Sequence, residues 1–289
     1  MLSVRKTLLT TAIAAAAGLT SLPALALVTL DNVSGPVSFK FVGNTTENNV
    51  QAGTNETTWG VGSITSITQG INTLWNTGFG GDELAFMLYG IADKTVTPSA
   101  CPPPLTGSCV QILNDGATGG VADGLIHLDI YRRATDPNIT NGPAGRTSFS
   151  TYGTPASAGQ DVTNGTLWLS LVFAPGIVGS DPSVTMQQFA NLSTLPTNGF
   201  GSFFADITGG TAKNQFDTNG QLTNISTFAD FFGTFTLTPN GNCTGGSTCF
   251  TGAINDPVVG LAVPEPTAVA LLGLALLGAF GVRARKPSE

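Results

Sequence analysis

The stretch LWLSLVF, residues 167–173, decides the fold class, because its large apolar side chains recur at every second position. Its three leucines and Phe173 occupy the odd positions, and Ser170 lies among the even ones. Successive side chains of a β-strand point to opposite faces, so this period of two places one apolar face against a core. The stretch therefore predicts a half-buried strand.

The same alternation recurs along the chain and predicts an all-β domain, an antiparallel β-sandwich or a jelly-roll-like arrangement of strands. Six further segments show it: 37–42, 61–67, 84–91, 125–131, 201–207 and 231–237. Clusters rich in Gly, Asn and Asp separate them, as tight turns require. Only residues 183–192, where Met186 and Phe189 are three apart, favour a short helix capping one end.

The composition indicates an exported protein with many turns. Of 289 residues only 10% are charged, and 37 are Gly and 17 are Pro. Residues 27–263 carry 16 acidic and 6 basic side chains, a formal net charge of −10. Such a body repels nucleic acid and anionic lipid, so no nucleic-acid partner is expected. No repeat of 20 to 50 residues is visible, and one domain over residues 27–260 is predicted.

Residues 1–26 have the three parts of a secretory signal peptide. Arg5 and Lys6 precede an alanine-rich apolar run, and Ala24 and Ala26 supply the small residues at −3 and −1 of a cleavage site. We therefore expect export through the Sec translocon and cleavage by signal peptidase after Ala26.

Residues 261–289 have a different pattern, in which Pro264-Glu265-Pro266 precedes sixteen uncharged residues, 267–282. As a helix this run would extend about 24 Å, enough to span a membrane marginally. Three cations follow it: Arg283, Arg285 and Lys286. Because basic flanks stay cytoplasmic, both ends of the chain predict the same topology, with the acidic body exported.

This three-part tail resembles the PEP-CTERM sorting signal of Gram-negative bacteria. The resemblance covers roughly the last 27 residues and implies processing by exosortase, a membrane protease-transpeptidase. It further implies transient anchoring in the inner membrane, a host that makes exopolysaccharide, and a final place at the cell surface or in the extracellular matrix. Because members of the family differ in their bodies, the tail implies an address and no particular activity.

Four cysteines form two close pairs, and local disulfides are predicted between Cys101 and Cys109 and between Cys243 and Cys249. An even count at short spacing in an exported chain favours disulfides, although four cysteines allow three connectivities. Zinc is disfavoured because the body has no C-x-x-C motif and a single histidine.

Catalytic chemistry is weakly indicated, and no catalytic residue is assigned. His127 shares a strand face with Asp129, and no G-x-S-x-G motif offers a serine nucleophile. A glycan-active enzyme would need two carboxylates across a cleft, with candidates Asp82, Glu83, Asp115, Asp123 and Asp129. Calcium is the alternative use of Asp115, Asp123 and Asp129, although their spacing fits no EF-hand. No other cofactor is expected.

Three tryptophans, Trp59, Trp75 and Trp168, are the candidates for stacking on sugar rings. The leading hypothesis is a non-enzymatic surface or matrix protein that associates with exopolysaccharide or biofilm. A carbohydrate-binding module is the second hypothesis, and a secreted glycan-active enzyme is the third.

Overall fold

The computed structural model describes residues 30, 33–47, 58–117, 121–134, 162–163, 165–191, 198–239 and 250–263. Thirteen strands, one short α-helix and one 3₁₀ turn, Phe79–Gly81, lie in these ranges. The strands are β1 Gly35–Glu47, β2 Thr58–Gln69, β3 Asn72–Asn76, β4 Asp82–Ala100, β5 Ser108–Asp115, β6 His127–Ala134, β7 Thr166–Ala174, β8 Met186–Asn191, β9 Asn198–Gly209, β10 Gln221–Leu222, β11 Phe228–Ala229, β12 Phe231–Pro239 and β13 Phe250–Ala262. The helix, α1, is Lys213–Phe216. The all-β prediction is confirmed.

Eleven of the strands form one large antiparallel sheet. Its order is β3-β2-β1-β13-β12-β9-β7-β6-β4-β5-β8, with further pairings of β2 with β4 and of β9 with β8. The β2–β4 pairing joins eight of these strands into a closed ring of hydrogen-bonded neighbours. Closure gives the ring strands backbone partners on both sides, which removes most of the free edge that a flat sheet would expose.

Two long strands allow the sheet to close, because each changes partner along its length. The first half of β4 pairs with β2 and β6, whereas its second half pairs with β5. In the same way β9 pairs with β8 near its start and with β7 near its end. Such a change of neighbour carries the chain from one part of the sheet to another without a break in hydrogen bonding.

The core lies inside this ring and is built from the alternating apolar residues that the sequence indicates. Inward-facing aromatic residues dominate it, including Phe39, Phe86 and Phe216, whose side chains are fully buried. Phe39 makes edge contacts with Phe216 and Phe231 at ring-centroid distances of 5.4 Å each. Aromatic pairs at this separation add to the stabilisation from burial itself.

Two glycines allow the sheet to bring an aromatic ring close to the backbone. Gly43 of β1 is paired with Gly62 of β2, and the ring of Phe86 lies over both. A Cβ at Gly62 would lie 2.2 Å from the carbonyl oxygen of Val42 and 2.7 Å from Phe86. No side chain fits there, so only glycine can occupy these two positions.

A β-bulge interrupts the simple alternation that was predicted for residues 167–173. On β6, Ile130 is opposite Leu169 and Tyr131 is opposite Leu167, so Trp168 is an extra residue without a partner in the register. A bulge reorients the residues on either side of it. The side chain of Trp168 therefore joins Leu169, Leu171 and Phe173 in the core.

The predicted helix over residues 183–192 is wrong. Met186–Asn191 forms strand β8, which pairs with β5 on one side and β9 on the other. Two neighbouring strands offer the segment a full set of backbone partners, and this tertiary pairing overrides a weak helical spacing. Met186 and Gln188 are buried with the period of a strand.

The last strand, β13, was not expected from the sequence and extends the folded part beyond residue 260. It pairs with β1 along its whole length, so that Gly35 lies opposite Ala262. The backbone N–H of Val263 then donates to the carbonyl oxygen of Gln215 at 2.8 Å. The described fold therefore continues to the residue before Pro264: β13 ends at Ala262, and Val263 is held by the helix α1.

The predicted membrane helix, residues 267–282, lies outside the described ranges. In the ranges given above, no helix combines the length and the hydropathy needed to cross a membrane.

Candidate functional site

The outer face of β4 and β6 carries a cluster of aromatic and polar side chains. Leu128 and Ile130 point into the core, so His127 and Asp129 share the opposite face, as their spacing predicts. The register places Tyr89 of β4 directly opposite His127. Their rings stack with centroids 5.0 Å apart and planes inclined by 9°.

Asp123 holds the imidazole of His127 from the turn that precedes β6. Both carboxylate oxygens lie within hydrogen-bond reach of Nε2, at 3.1 and 3.0 Å. The backbone N–H of Leu125 donates to the same carboxylate at 3.1 Å. The hydrogen bond from His127 lowers the pKa of Asp123, so this exposed group is a carboxylate at neutral pH.

Asp129 is a buried hydrogen-bond acceptor below the stacked rings. The hydroxyl of Tyr89 donates to one of its oxygens at 2.8 Å, and the hydroxyl of Ser170 donates to the other at 2.6 Å. Burial, reinforced by the charge of Asp129, raises the pKa of Tyr89 above its usual value. Tyr89 therefore remains a neutral donor, with its ring fixed against His127.

The hydrogen bonds of Ser170 bear on hydrolase chemistry. Its hydroxyl donates directly to Asp129, whereas Nε2 of His127 is held by Asp123. A serine nucleophile is activated by an imidazole that a carboxylate orients from its far side. The three residue types are present on this face, but their hydrogen bonds do not run in that order.

The carboxylates considered for calcium have separate partners. Asp115 accepts from the backbone N–H of Ala117, Asp123 accepts from His127, and Asp129 accepts from Tyr89 and Ser170. Within the described ranges no group of three His, Cys, Asp or Glu side chains could hold a metal ion. Calcium therefore gains no support from these residues.

The tryptophan prediction is corrected, because all three indoles are buried. The exposed fractions of Trp59, Trp75 and Trp168 are 0%, 3% and 2%. Trp168 contacts Phe39 and Phe216, and Trp59 packs with Val61 and Met87 in a second apolar cluster. A buried ring does not offer a free face to a sugar, and Tyr89, which packs at the edge of the Trp59 cluster, is only partly buried.

The remaining carboxylates of the enzyme hypothesis form ion pairs with arginines on the neighbouring strand. Asp82 accepts from Arg132, and Glu83 accepts from Arg133. A separate acidic pair, Asp206 and Asp230, was not singled out in the sequence. Burial, together with the charge of Asp230, raises the pKa of Asp206.

The raised pKa of Asp206 predicts a pH-dependent loss of stability. The folded state favours the protonated form of Asp206. Protonated Asp206 therefore makes its full contribution to stability below the unfolded pKa of about 4, and this contribution is lost as the pH rises through the pKa of Asp206 in the folded state. Asp206→Asn should therefore unfold at a higher temperature than the wild type at pH 7, with the difference vanishing near pH 4. Melting temperatures measured between pH 3.5 and 7.5 test this.

Asp181→Asn is the control of opposite sign. Hydrogen bonds from Lys94 and Ser183 lower the pKa of Asp181 to about 2. This variant should be less stable than the wild type at pH 7, and the difference should shrink below about pH 4. Parallel curves for wild type and Asp206→Asn would contradict the assignment.

Of the two predicted disulfides, the one between Cys101 and Cys109 is confirmed. It joins the end of β4 to the start of β5, with Cα atoms 4.9 Å apart. Cys243 and Cys249 lie outside the described residues.

Comparison with known proteins identifies the carboxyl-terminal segment. Residues 262–286 match the family model of the PEP-CTERM protein-sorting motif. No curated protein and no solved structure matches the chain. The match covers the tail alone, and the body is not assigned to a family. The PEP-CTERM signal indicates export to the cell envelope or surface and processing by exosortase.

The PEP-CTERM match begins inside the folded domain, since Ala262 is the last residue of β13. Several predicted site residues lie outside the described ranges: Ala24, Ala26, Pro264, Glu265, Pro266, Arg283, Arg285 and Lys286. The sorting motif therefore follows the last strand with only Val263 between them.

Proposed function

We propose that this chain is a non-enzymatic surface or matrix protein that associates with exopolysaccharide after exosortase has processed its PEP-CTERM tail. The match at residues 262–286 carries the proposal. Further support comes from the pattern of residues 1–26, which suits the Sec translocon and signal peptidase, and from the basic residues at both ends. The Cys101–Cys109 disulfide fits an oxidising compartment outside the cytoplasm.

The sequence of events follows from these parts. The apolar run 267–282 holds the precursor in the inner membrane with Arg283, Arg285 and Lys286 on the cytoplasmic side. Exosortase then acts at Pro264-Glu265-Pro266, and the body moves to the surface or matrix. A body with a formal net charge of −10 stays soluble there and is repelled by anionic lipid.

Replacing Pro264, Glu265 and Pro266 with alanine tests the sorting step. We expect the precursor to accumulate in the inner membrane and the processed form to disappear from the surface and matrix fractions. The measurement is the apparent mass and the fractionation of the chain in a host that has exosortase.

The matched control changes Pro287, Ser288 and Glu289 to alanine, since these residues lie beyond the matched segment. It should be processed like the wild type. Unchanged processing of the Pro264-Glu265-Pro266 variant would count against the proposal.

Direct binding of carbohydrate is the second candidate function, and the surface around Tyr89 and His127 favours it. Sugar sites combine aromatic rings with carboxylates that accept from hydroxyl groups. Tyr89 supplies a half-buried ring that is stacked on the largely buried His127, and the ionised, half-exposed Asp123 supplies the carboxylate.

Pull-down on the host's own polysaccharide tests this second function. Asp123→Asn and His127→Ala should each weaken binding by about tenfold, the effect of losing one good polar or stacking contact. Asp115→Asn is the matched control, because each aspartate also accepts from the backbone N–H two residues on. Equal binding by all three variants and wild type would rule this surface out.

A further inference from the structure

The end of β13 determines how close the body must come to the membrane. Val263 is the last described residue, and its N–H is bound to Gln215. Three residues, 264–266, separate it from the apolar run that begins at Thr267. A fully extended chain gains at most about 3.5 Å per residue, so the run begins within about 14 Å of Val263. The anchored body therefore has no stalk.

One exposed apolar side chain lies on the β1 side of this exit point. The sheet order places β2 next to β1 and β1 next to β13. The side-chain amide of Gln69, at the end of β2, donates to the carbonyl oxygen of Ser34, just before β1 begins. The β2–β3 turn follows directly, and the side chain of Ile71 in it is 101% exposed.

Two more exposed apolar side chains lie on the β12 side of the exit point. Phe231 is opposite Gly260, so the residues before Phe231 continue beside the last residues of β13. The β10–β11 hairpin lies here, and a Cβ at Gly220, just before it, would lie 3.0 Å from the side chain of Leu261. Leu222 and Phe228 are cross-strand partners in the hairpin and are 63% and 58% exposed.

The distribution of exposed apolar residues is therefore uneven. Among the described residues, four large apolar side chains are more than half exposed: Ile71, Phe79, Leu222 and Phe228. Three of the four flank the strand that leads to the sorting tail. Exposed apolar side chains grouped at one place indicate a contact surface.

The charges at this end of the body are compatible with a lipid contact that is made by apolar side chains. Lys213 and Asp217 of the neighbouring helical turn form an ion pair at 3.4 Å and neutralise each other. The net negative charge of the body disfavours anionic headgroups. Apolar side chains gain free energy at the boundary between headgroups and acyl chains without any electrostatic attraction.

We propose that Ile71, Leu222 and Phe228 contact the bilayer interface while the tail anchors the precursor, so that the body rests on the membrane by the end from which β13 leaves. This inference rests on the proposed membrane stage of sorting. It adds an orientation: Tyr89 and His127 lie on a different part of the sheet, on the outer face of β4 and β6, and the half-exposed Asp123 beside them stays in contact with solvent.

Fluorescence quenching in the full-length precursor tests the contact. Phe228→Trp and, separately, Ile71→Trp are reconstituted into phosphatidylcholine vesicles with brominated acyl chains. Val96→Trp is the control, because Val96 is also exposed, at 41%, but lies in the distal half of β4. We expect the added emission at positions 228 and 71 to be quenched about twofold or more, and that at position 96 to be unaffected.

Flotation of the same vesicles separates the two hypotheses. A precursor that floats with the vesicles while neither position 228 nor position 71 is quenched overturns the orientation and leaves the anchoring intact. A precursor that fails to float overturns both. Equal quenching at positions 228, 71 and 96 also overturns the orientation, because it means that the whole body lies against lipid.

Discussion

Replacing Glu83 with glutamine should lower the free energy of unfolding by about 3–5 kcal/mol. The carboxylate accepts from Nε of Arg133 at 2.6 Å, and the two side chains are only 4% and 5% exposed. Glutamine keeps the shape but removes the charge, so the guanidinium of Arg133 is left buried without its counterion. Breaking such a pair costs far more than the pair itself contributes.

The control for this prediction lies one residue earlier on the same strand. Asp82 pairs with Arg132, but these side chains are 20% and 18% exposed. Asp82→Asn should therefore cost about 1 kcal/mol, because water can solvate the arginine that remains. Urea unfolding of both variants measures the difference, and similar losses for Glu83→Gln and Asp82→Asn would show that burial is not the cause.

A double variant separates the attraction between Glu83 and Arg133 from the cost of burying their charges. Glu83→Leu combined with Arg133→Met removes both charges and keeps apolar volume on the two strands. We expect it to recover most of the stability that either single change loses, since an apolar pair avoids the cost of burying ions. Strictly additive losses would mean that Glu83 and Arg133 do not act as a pair.

Replacing Asp230 with alanine should cost about 3–5 kcal/mol, because three backbone donors lose their acceptor. Its carboxylate accepts from the N–H of Ile207 at 2.8 Å, of Thr218 at 2.6 Å and of Asn219 at 2.7 Å. Asp230 is 2% exposed, so little water can take its place. Asn219 has a φ of 49°, a conformation that this carboxylate helps to hold.

Hydrogen exchange localises the effect of Asp230→Ala. The amides of Ile207, Thr218 and Asn219 should exchange faster in the variant. The amides between β1 and β13 should lose protection only to the extent that the whole protein loses stability. Asp217→Ala, at an exposed aspartate of the same segment, should change stability by less than about 0.5 kcal/mol. Unchanged exchange at residues 218 and 219 would contradict the role assigned to Asp230.

The candidate site shows how far local sequence can predict a surface. His127 and Asp129 are two residues apart, so a strand places them on one face whatever the rest of the fold does. Tyr89 is 38 positions from His127, and only the register of β4 against β6 brings their rings together. Asp123 was considered as a calcium ligand, but its position in the turn before β6 makes it the partner of His127.

The two wrong predictions, the helix over residues 183–192 and the outward position of Trp168, both fail because of long-range strand pairing. Residues 183–192 have a spacing that suits a helix, but β5 and β9 supply backbone partners on both sides and make Met186–Asn191 a strand. Trp168 belongs to the polar face by its position in the alternation, yet a bulge opposite β6 turns it into the core. In each case long-range pairing overrides a weak local preference.

What the sequence by itself determined is what depends on residues close together in the chain: the all-β class from alternation, the Cys101–Cys109 pairing across a short loop, and the sorting motif at residues 262–286. Tertiary structure alone decided the closure of the sheet through β2 and β4, the burial of three tryptophans, the Glu83–Arg133 pair and the apolar side chains beside the end of β13. The physical reason is register. A period of two assigns each side chain to a face, but which distant strand lies beside it depends on hydrogen bonding and packing of the whole sheet.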